Sequence, residues 1–165
     1  AGLRIAKQLC AGLGAAHDAG VLHRDIKPEN LILDHAGSAK LMDFGIARPT
    51  KQRADIGQTQ AGWVVGTPQY LAPEQIEGRD LDERADIYAT GVVLFEIFTG
   101  SAPFRDENAM QVMLQHLHEA PPPPRNLWPD IPKDLEALIL KALEKDREKR
   151  FRRVPDLVKA LEGLS

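Results

Sequence analysis

Residues 23–30 read His-Arg-Asp-Ile-Lys-Pro-Glu-Asn and follow directly on the apolar pair Val21-Leu22. Two strong bases, two acids and an amide packed around one proline do not suit the core of a helix or a strand. Asp25 and Asn30 stand five residues apart, just before the apolar run Leu31–Leu33. Another acid, Asp43, opens the tripeptide Asp43-Phe44-Gly45 just after the short run Lys40–Met42. Two carboxylates and an amide at the ends of adjacent short strands can converge on one phosphate loaded with Mg2+, a hard cation that takes oxygen ligands. Phosphoryl transfer asks the protein mainly to position groups and neutralise charge, so these residue types fit it.

A third element follows in order, Ala72-Pro73-Glu74. An isolated His-Arg-Asp is usually a solvated loop. Together with Asn30, Asp43-Phe44-Gly45 and Ala72-Pro73-Glu74 it matches the set H-R-D-x-x-x-x-N, D-F-G and A-P-E. At about one in twenty per fixed position, a chance match over so many ordered positions is negligible. The chain resembles the C-terminal lobe of a protein kinase over nearly all of its 165 residues. The runs 66–75, Gly-Thr-Pro-Gln-Tyr-Leu-Ala-Pro-Glu-Gln, and 82–91, Asp-Glu-Arg-Ala-Asp-Ile-Tyr-Ala-Thr-Gly, are most similar to the bacterial eukaryotic-type (Hanks-type) serine/threonine kinases.

The resemblance implies a mainly α fold, a helical bundle around a buried central helix, with a few short strands at the catalytic cleft. It implies ATP and Mg2+ as cofactors and protein Ser/Thr hydroxyls as acceptors. Asp25 would orient the acceptor hydroxyl and take its proton, while Asn30 and Asp43 would hold Mg2+. Lys27 would meet the transferred phosphate, and a lysine there argues for serine and threonine over tyrosine. Thr67 would brace Asp25 and Lys27. His23 and Phe44, with Gly45 beside them, would belong to an apolar spine below the cleft, and Ile32 would lie under adenine. Asp86 would hold the catalytic-loop backbone, and Glu74 with Arg150 would form a buried ion pair. Arg24 gives a guanidinium able to pair with a phosphate on the long loop. Thr59, seven residues before Gly66, is the expected phosphosite, with Thr50 the other hydroxyl to consider.

Composition excludes other classes. A net charge of -3 gives no pull toward nucleic acid or an anionic membrane. The single cysteine, Cys10, excludes an internal disulfide and fits a reducing compartment. No apolar run approaches the roughly 20 residues that span a bilayer, so no membrane segment is expected in this chain. The resemblance implies a cytoplasmic kinase domain, free or part of a membrane-anchored receptor. His116 and His118 are two apart on a helix, face different sides and are not read as metal ligands. Gly12-Leu13-Gly14-Ala15-Ala16-His17 lacks the third glycine and the preceding strand of a dinucleotide fingerprint.

These residues must be held by elements the pattern also shows. Ala6, Leu9, Cys10, Leu13 and His17 mark one face of a helix ending near Ala19-Gly20. Val21-Leu22, Leu31–Leu33 and Lys40–Met42 read as small strands, and residues 46–70 as a long functional loop. Asp82 to Thr99 reads as a buried helix, acidic at its start, stopped by Gly100 and apolar nearly all round after Val92 except for Glu96. A further helix is expected over about 107–118, ended by the prolines at 121–124. Two more follow, with Pro132 and Pro155 in or near their first turns.

No stretch resembles the glycine-rich G-x-G-x-x-G-x-V loop or the V-A-I-K lysine that the family places in an N-terminal lobe. With no initiator Met and a start inside a helix, the chain reads as a fragment, residues 1–165 forming the C-lobe only. The missing N-lobe is then an implied partner, and the fragment is expected to be inactive alone. A non-catalytic interaction module is the other reading. Intact Asp25, Lys27, Asn30 and Asp43 favour the enzyme, since a binding module has no need of all four.

Overall fold

Six α-helices and one two-stranded ribbon organise residues 1–42 and 67–164, which the computed structural model describes. Helix α1 (Gly2–Asp18) buries Ala6, Leu9, Cys10, Leu13 and His17, the stripe its spacing predicts. It stops ahead of Gly20, whose φ of 77° only glycine adopts at no cost.

Strand β1 (Leu31–Leu33) pairs antiparallel with β2 (Ala39–Leu41), Leu31 opposite Leu41 and Leu33 opposite Ala39. The turn between them is tied by Asp34, whose carboxylate accepts from the N–H groups of Ala36 and Ser38. The strand expected at Lys40–Met42 begins one residue earlier. Even so, the Met42 N–H still donates to the Asn30 carbonyl at 2.7 Å, so pairing runs past its end. Val21-Leu22 does not form a strand; only Val21 makes an isolated bridge. The reason lies just downstream, where the N–H groups of His23 and Arg24 are drawn to a side chain rather than to a neighbouring strand.

Within the expected loop, residues 67–70 contain a tight turn, Pro68–Tyr70, and the short helix α2 (Pro73–Ile76) comes next. Asp43, Phe44, Gly45, Thr50 and Thr59 lie outside the described residues.

Helix α3 (Glu83–Thr99) is the central one. Asp82 caps it by accepting from the Arg84 N–H, and Gly100, at φ 81°, closes it. Every residue from Ala85 to Phe95 is buried, which explains why this helix shows no polar stripe. Gly91 is required by packing: a Cβ there would sit 2.8 Å from that of Ala142. Helix α4 (Ala109–His118) starts two residues later than expected because Asn108 caps it, accepting from the Met110 N–H. Helices α5 (Lys133–Ala142) and α6 (Val154–Glu162) follow, with Pro132 at the cap of the first and Pro155 in the first turn of the second. Leu9 and Leu13 of α1, Val92 and Val93 of α3, Ile139 of α5 and Leu157 of α6 share one core. Among the described residues no helix is long and apolar enough to cross a membrane.

Candidate active site

Asp86, on the first turn of α3, organises the loop at residues 23–30. Its Oδ2 accepts from the His23 N–H at 2.8 Å and from His17 Nε2 at 2.7 Å, and its Oδ1 from the Arg24 N–H at 2.9 Å. A carboxylate only 2% exposed is tolerated because these donors replace its water. Arg24 has φ 69°, a left-handed conformation that costs a non-glycine residue free energy. It is held there from both sides, by Asp86 at its N–H and by Gln75 Nε2 at its carbonyl, 3.2 Å away.

The next residues build the reactive face. His23 is fully buried, and its Nε2–H donates to the Met42 carbonyl at 2.8 Å. Its Nδ1 accepts from the Asp25 N–H at 3.1 Å. A carbonyl can only accept and an N–H only donate, so the imidazole is neutral with its proton on Nε2. His23 thereby ties Asp25 to the strand end that leads into Asp43. Asn30 Nδ2 donates to the Asp25 carbonyl at 2.6 Å and lies 3.4 Å from the Asp25 carboxylate. That commits the amide nitrogen and leaves Oδ1 as the atom a cation could use. Lys27 Nζ stands between two partners, Thr67 Oγ1 at 3.1 Å and Asp25 Oδ2 at 3.4 Å. Both charged side chains remain partly open to solvent, 23% for Lys27 and 15% for Asp25, so a ligand can reach them.

Among the described residues no three His, Cys, Asp or Glu side chains gather into a metal cage. Mg2+ does not need one. It keeps waters and phosphate oxygens and takes only one or two protein ligands. An oriented Asn30 oxygen beside a cationic Lys27 fits a Mg2+–nucleotide phosphate on the described side of the site.

The protein kinase domain model matches residues 2–160. The chain belongs to the protein kinase family. The chain is 41% identical over 161 residues to a probable serine/threonine-protein kinase PknB of Corynebacterium glutamicum, covering 95% of this chain and 25% of that one. It is 42% identical over 162 residues to the serine/threonine-protein kinase Pkn1 of Myxococcus xanthus, covering 96% and 23%. With PknB of Mycobacterium leprae it shares 41% over 155 residues, covering 94% and 25%. This kinase-family chain thus spans about a quarter of the length of the curated relatives it matches.

Of the residues singled out in the sequence, His23, Arg24, Asp25, Lys27, Asn30 and Thr67 come together, with Asp86 behind them. Glu74 and Arg150 sit apart from that cluster, paired to each other through the two terminal guanidinium nitrogens, Nη1 and Nη2, at 2.6 and 3.0 Å. Arg150 also donates to the carbonyls of Arg84, Glu144 and Lys145 and lies over the Tyr88 ring. Ile32 is half exposed on β1.

Several contributors escaped the sequence reading. His17 was visible as part of the α1 stripe but not as a donor to Asp86, and Gln75 gave no signal. Glu96 did give one, as the lone acid in an apolar run. Its partner is the Tyr70 hydroxyl, which donates at 2.6 Å. Burial and that bond to Glu96 push the phenol well above its usual range.

Proposed function

We propose that this chain is the catalytic C-lobe of a serine/threonine protein kinase, which transfers the γ-phosphoryl group of ATP to protein hydroxyls. The observation that carries it is Lys27, held between the Asp25 carboxylate and the Thr67 hydroxyl. A general base, a cation for the transferred phosphate and a brace on the acceptor side thus share one site. Bound Mg-ATP supplies the phosphoryl group and the metal that neutralises its charge. Asp25 takes the acceptor's proton as that oxygen bonds to the γ-phosphorus and ADP leaves. Lys27 would offset charge on the phosphoryl oxygens, and Asn30, with Asp43, would hold the metal. Ile32, half exposed on β1, would line the adenine side of the cleft. A cleft of about 700 Å3 beside Thr67, between Glu29, Tyr70 and Glu96, has room for an extended acceptor segment.

The glycine-rich loop and anchoring lysine, which these 165 residues do not contain, belong to an N-lobe that completes the nucleotide clamp. The site works in the cytoplasm, where ATP and reduced Cys10 are both expected. Arg24 reads out a phosphate on Thr59, which mass-spectrometric mapping of active enzyme would detect. The deciding experiment is phosphate transfer by active enzyme containing this chain to matched peptides bearing Ser, Thr or Tyr. Transfer to Ser and Thr that is lost in Lys27→Met supports the reading. Preference for Tyr, or full activity in Lys27→Met, refutes it.

A further inference from the structure

His116, on α4, is fully buried and belongs to no part of the reactive face. Its Nε2 lies 3.0 Å from the Gln69 carbonyl. A carbonyl only accepts, so the ring proton is on Nε2, and Nδ1 must then accept from the Tyr88 hydroxyl at 2.7 Å. The ring meets Phe104 and Tyr88 edge-on, with centroids 5.0 and 5.5 Å apart. Burial, reinforced by the Lys145 ammonium, pushes the imidazole down to about 4, so this tautomer persists at neutral pH.

Gln69 is the middle residue of the turn Pro68–Tyr70, which starts at Thr67. The turn's own bonds use other carbonyls, Tyr70 N–H to Thr67 and Leu71 N–H to Pro68. The Gln69 carbonyl is left for His116. Tyr70 fastens the far end of the turn to α3 through Glu96. Thr67, the hydroxyl that receives Lys27, therefore hangs on a turn pinned once to α3 and once to α4.

We propose that His116 is a positioning residue for the acceptor side of the site: through the Gln69 carbonyl it sets where Thr67, and with it Lys27, stands. The inference rests on the kinase reading above. It makes the seat of α4 a determinant of how acceptor protein is engaged, while Asn30, bonded to Asp25 rather than to the turn, keeps the nucleotide-binding side in place. A residue that served packing alone would not separate the two.

The test uses active enzyme containing this chain and measures KM for a Ser/Thr peptide and for ATP, together with thermal stability. His116→Leu removes both ring bonds. His116→Gln keeps an amide donor near the Nε2 position. Tyr88→Phe removes only the other bond. Loss of one hydrogen bond to a buried carbonyl corresponds to about a tenfold effect. His116→Leu is expected to raise the peptide KM by about that factor with the ATP KM unchanged. His116→Gln should restore most of the loss, and Tyr88→Phe should lower stability without moving the peptide KM. If His116→Leu does not fold, His116→Asn takes its place: the shorter amide keeps a polar group near the Nδ1 position but cannot reach the Gln69 carbonyl, so it should raise the peptide KM where His116→Gln and Tyr88→Phe do not. Equal peptide KM in all variants, or a parallel rise in both KM values, overturns the proposal. A parent enzyme that phosphorylates no Ser or Thr peptide overturns the kinase reading and takes this inference with it.

Discussion

Arg150 grips Glu74 with two parallel hydrogen bonds, and neither side chain is more than 1% exposed. The residues are 76 positions apart, so the pair fastens α2 to the segment between α5 and α6. Removing one partner strands a buried charge, which typically costs ~3–5 kcal/mol. Glu74→Gln should lower the unfolding free energy of the chain by about that amount in urea titration. A double variant, Glu74→Gln with Arg150→Met, should recover part of it. A loss in the single variant no larger than for a surface substitution would show that the pair does not fasten these elements.

In active enzyme, Asp25→Asn should abolish nearly all phosphoryl transfer while leaving Mg-ATP affinity close to normal. Losing a positioned base costs roughly 10²- to 10⁴-fold in rate. Asp43→Asn should instead weaken Mg-ATP binding itself. Single-turnover rates and nucleotide titrations on both variants separate the roles, and near-normal turnover in Asp25→Asn would reverse the assignment.

His116 also predicts a pH dependence of stability. Its folded value is about 4 against an ordinary 6.5. Between those values the unfolded chain binds a proton that the folded chain refuses. Stability is therefore unaffected by this group well above pH 6.5 and falls as pH drops from there toward 4, by about 3 kcal/mol in all. Denaturation series at pH 7, 5.5 and 4.5 should show the decline, and His116→Gln should flatten it. An equal slope in parent and variant would assign the acid sensitivity elsewhere.

The 165-residue chain alone should show no appreciable kinase activity and only weak ATP binding. Without a glycine-rich loop and its lysine, nothing holds the γ-phosphate in line, and good alignment is worth up to ~7–11 kcal/mol. Ile32, Leu33 and Met42, each about half exposed, lie on or beside the ribbon and should promote self-association. Calorimetric titration with Mg-ATP and sedimentation of the purified chain test both points. Micromolar affinity in a monomer would contradict them.

What the sequence made legible was what chemistry constrains locally. Asp25, Lys27 and Asn30 lie within six residues, so spacing alone suggests a shared site. The central helix was readable because burial on all sides leaves an unbroken apolar run. Contacts between distant segments were not readable in the same way. His17 sits on a stripe whose period announces burial and His116 on an expected helix, yet nothing local names Asp86 or the Gln69 carbonyl as the partner. Val21-Leu22 misled for a related reason. Its apolar pair suits a strand, but the backbone that follows is claimed by a carboxylate more than 60 residues away.

The packing of α1 against α6, close enough that a Cβ added at Gly14 would lie 3.5 Å from Val154, with Asp18 facing Arg153, has a consequence for biosynthesis. About 135 residues separate the two helices, which at 5–20 residues per second is roughly 7 to 27 s of translation. Through that interval part of the α1 stripe has no native cover. A ribosome-bound chaperone would find its target there, and its release would be timed by the arrival of Leu157 and Leu161.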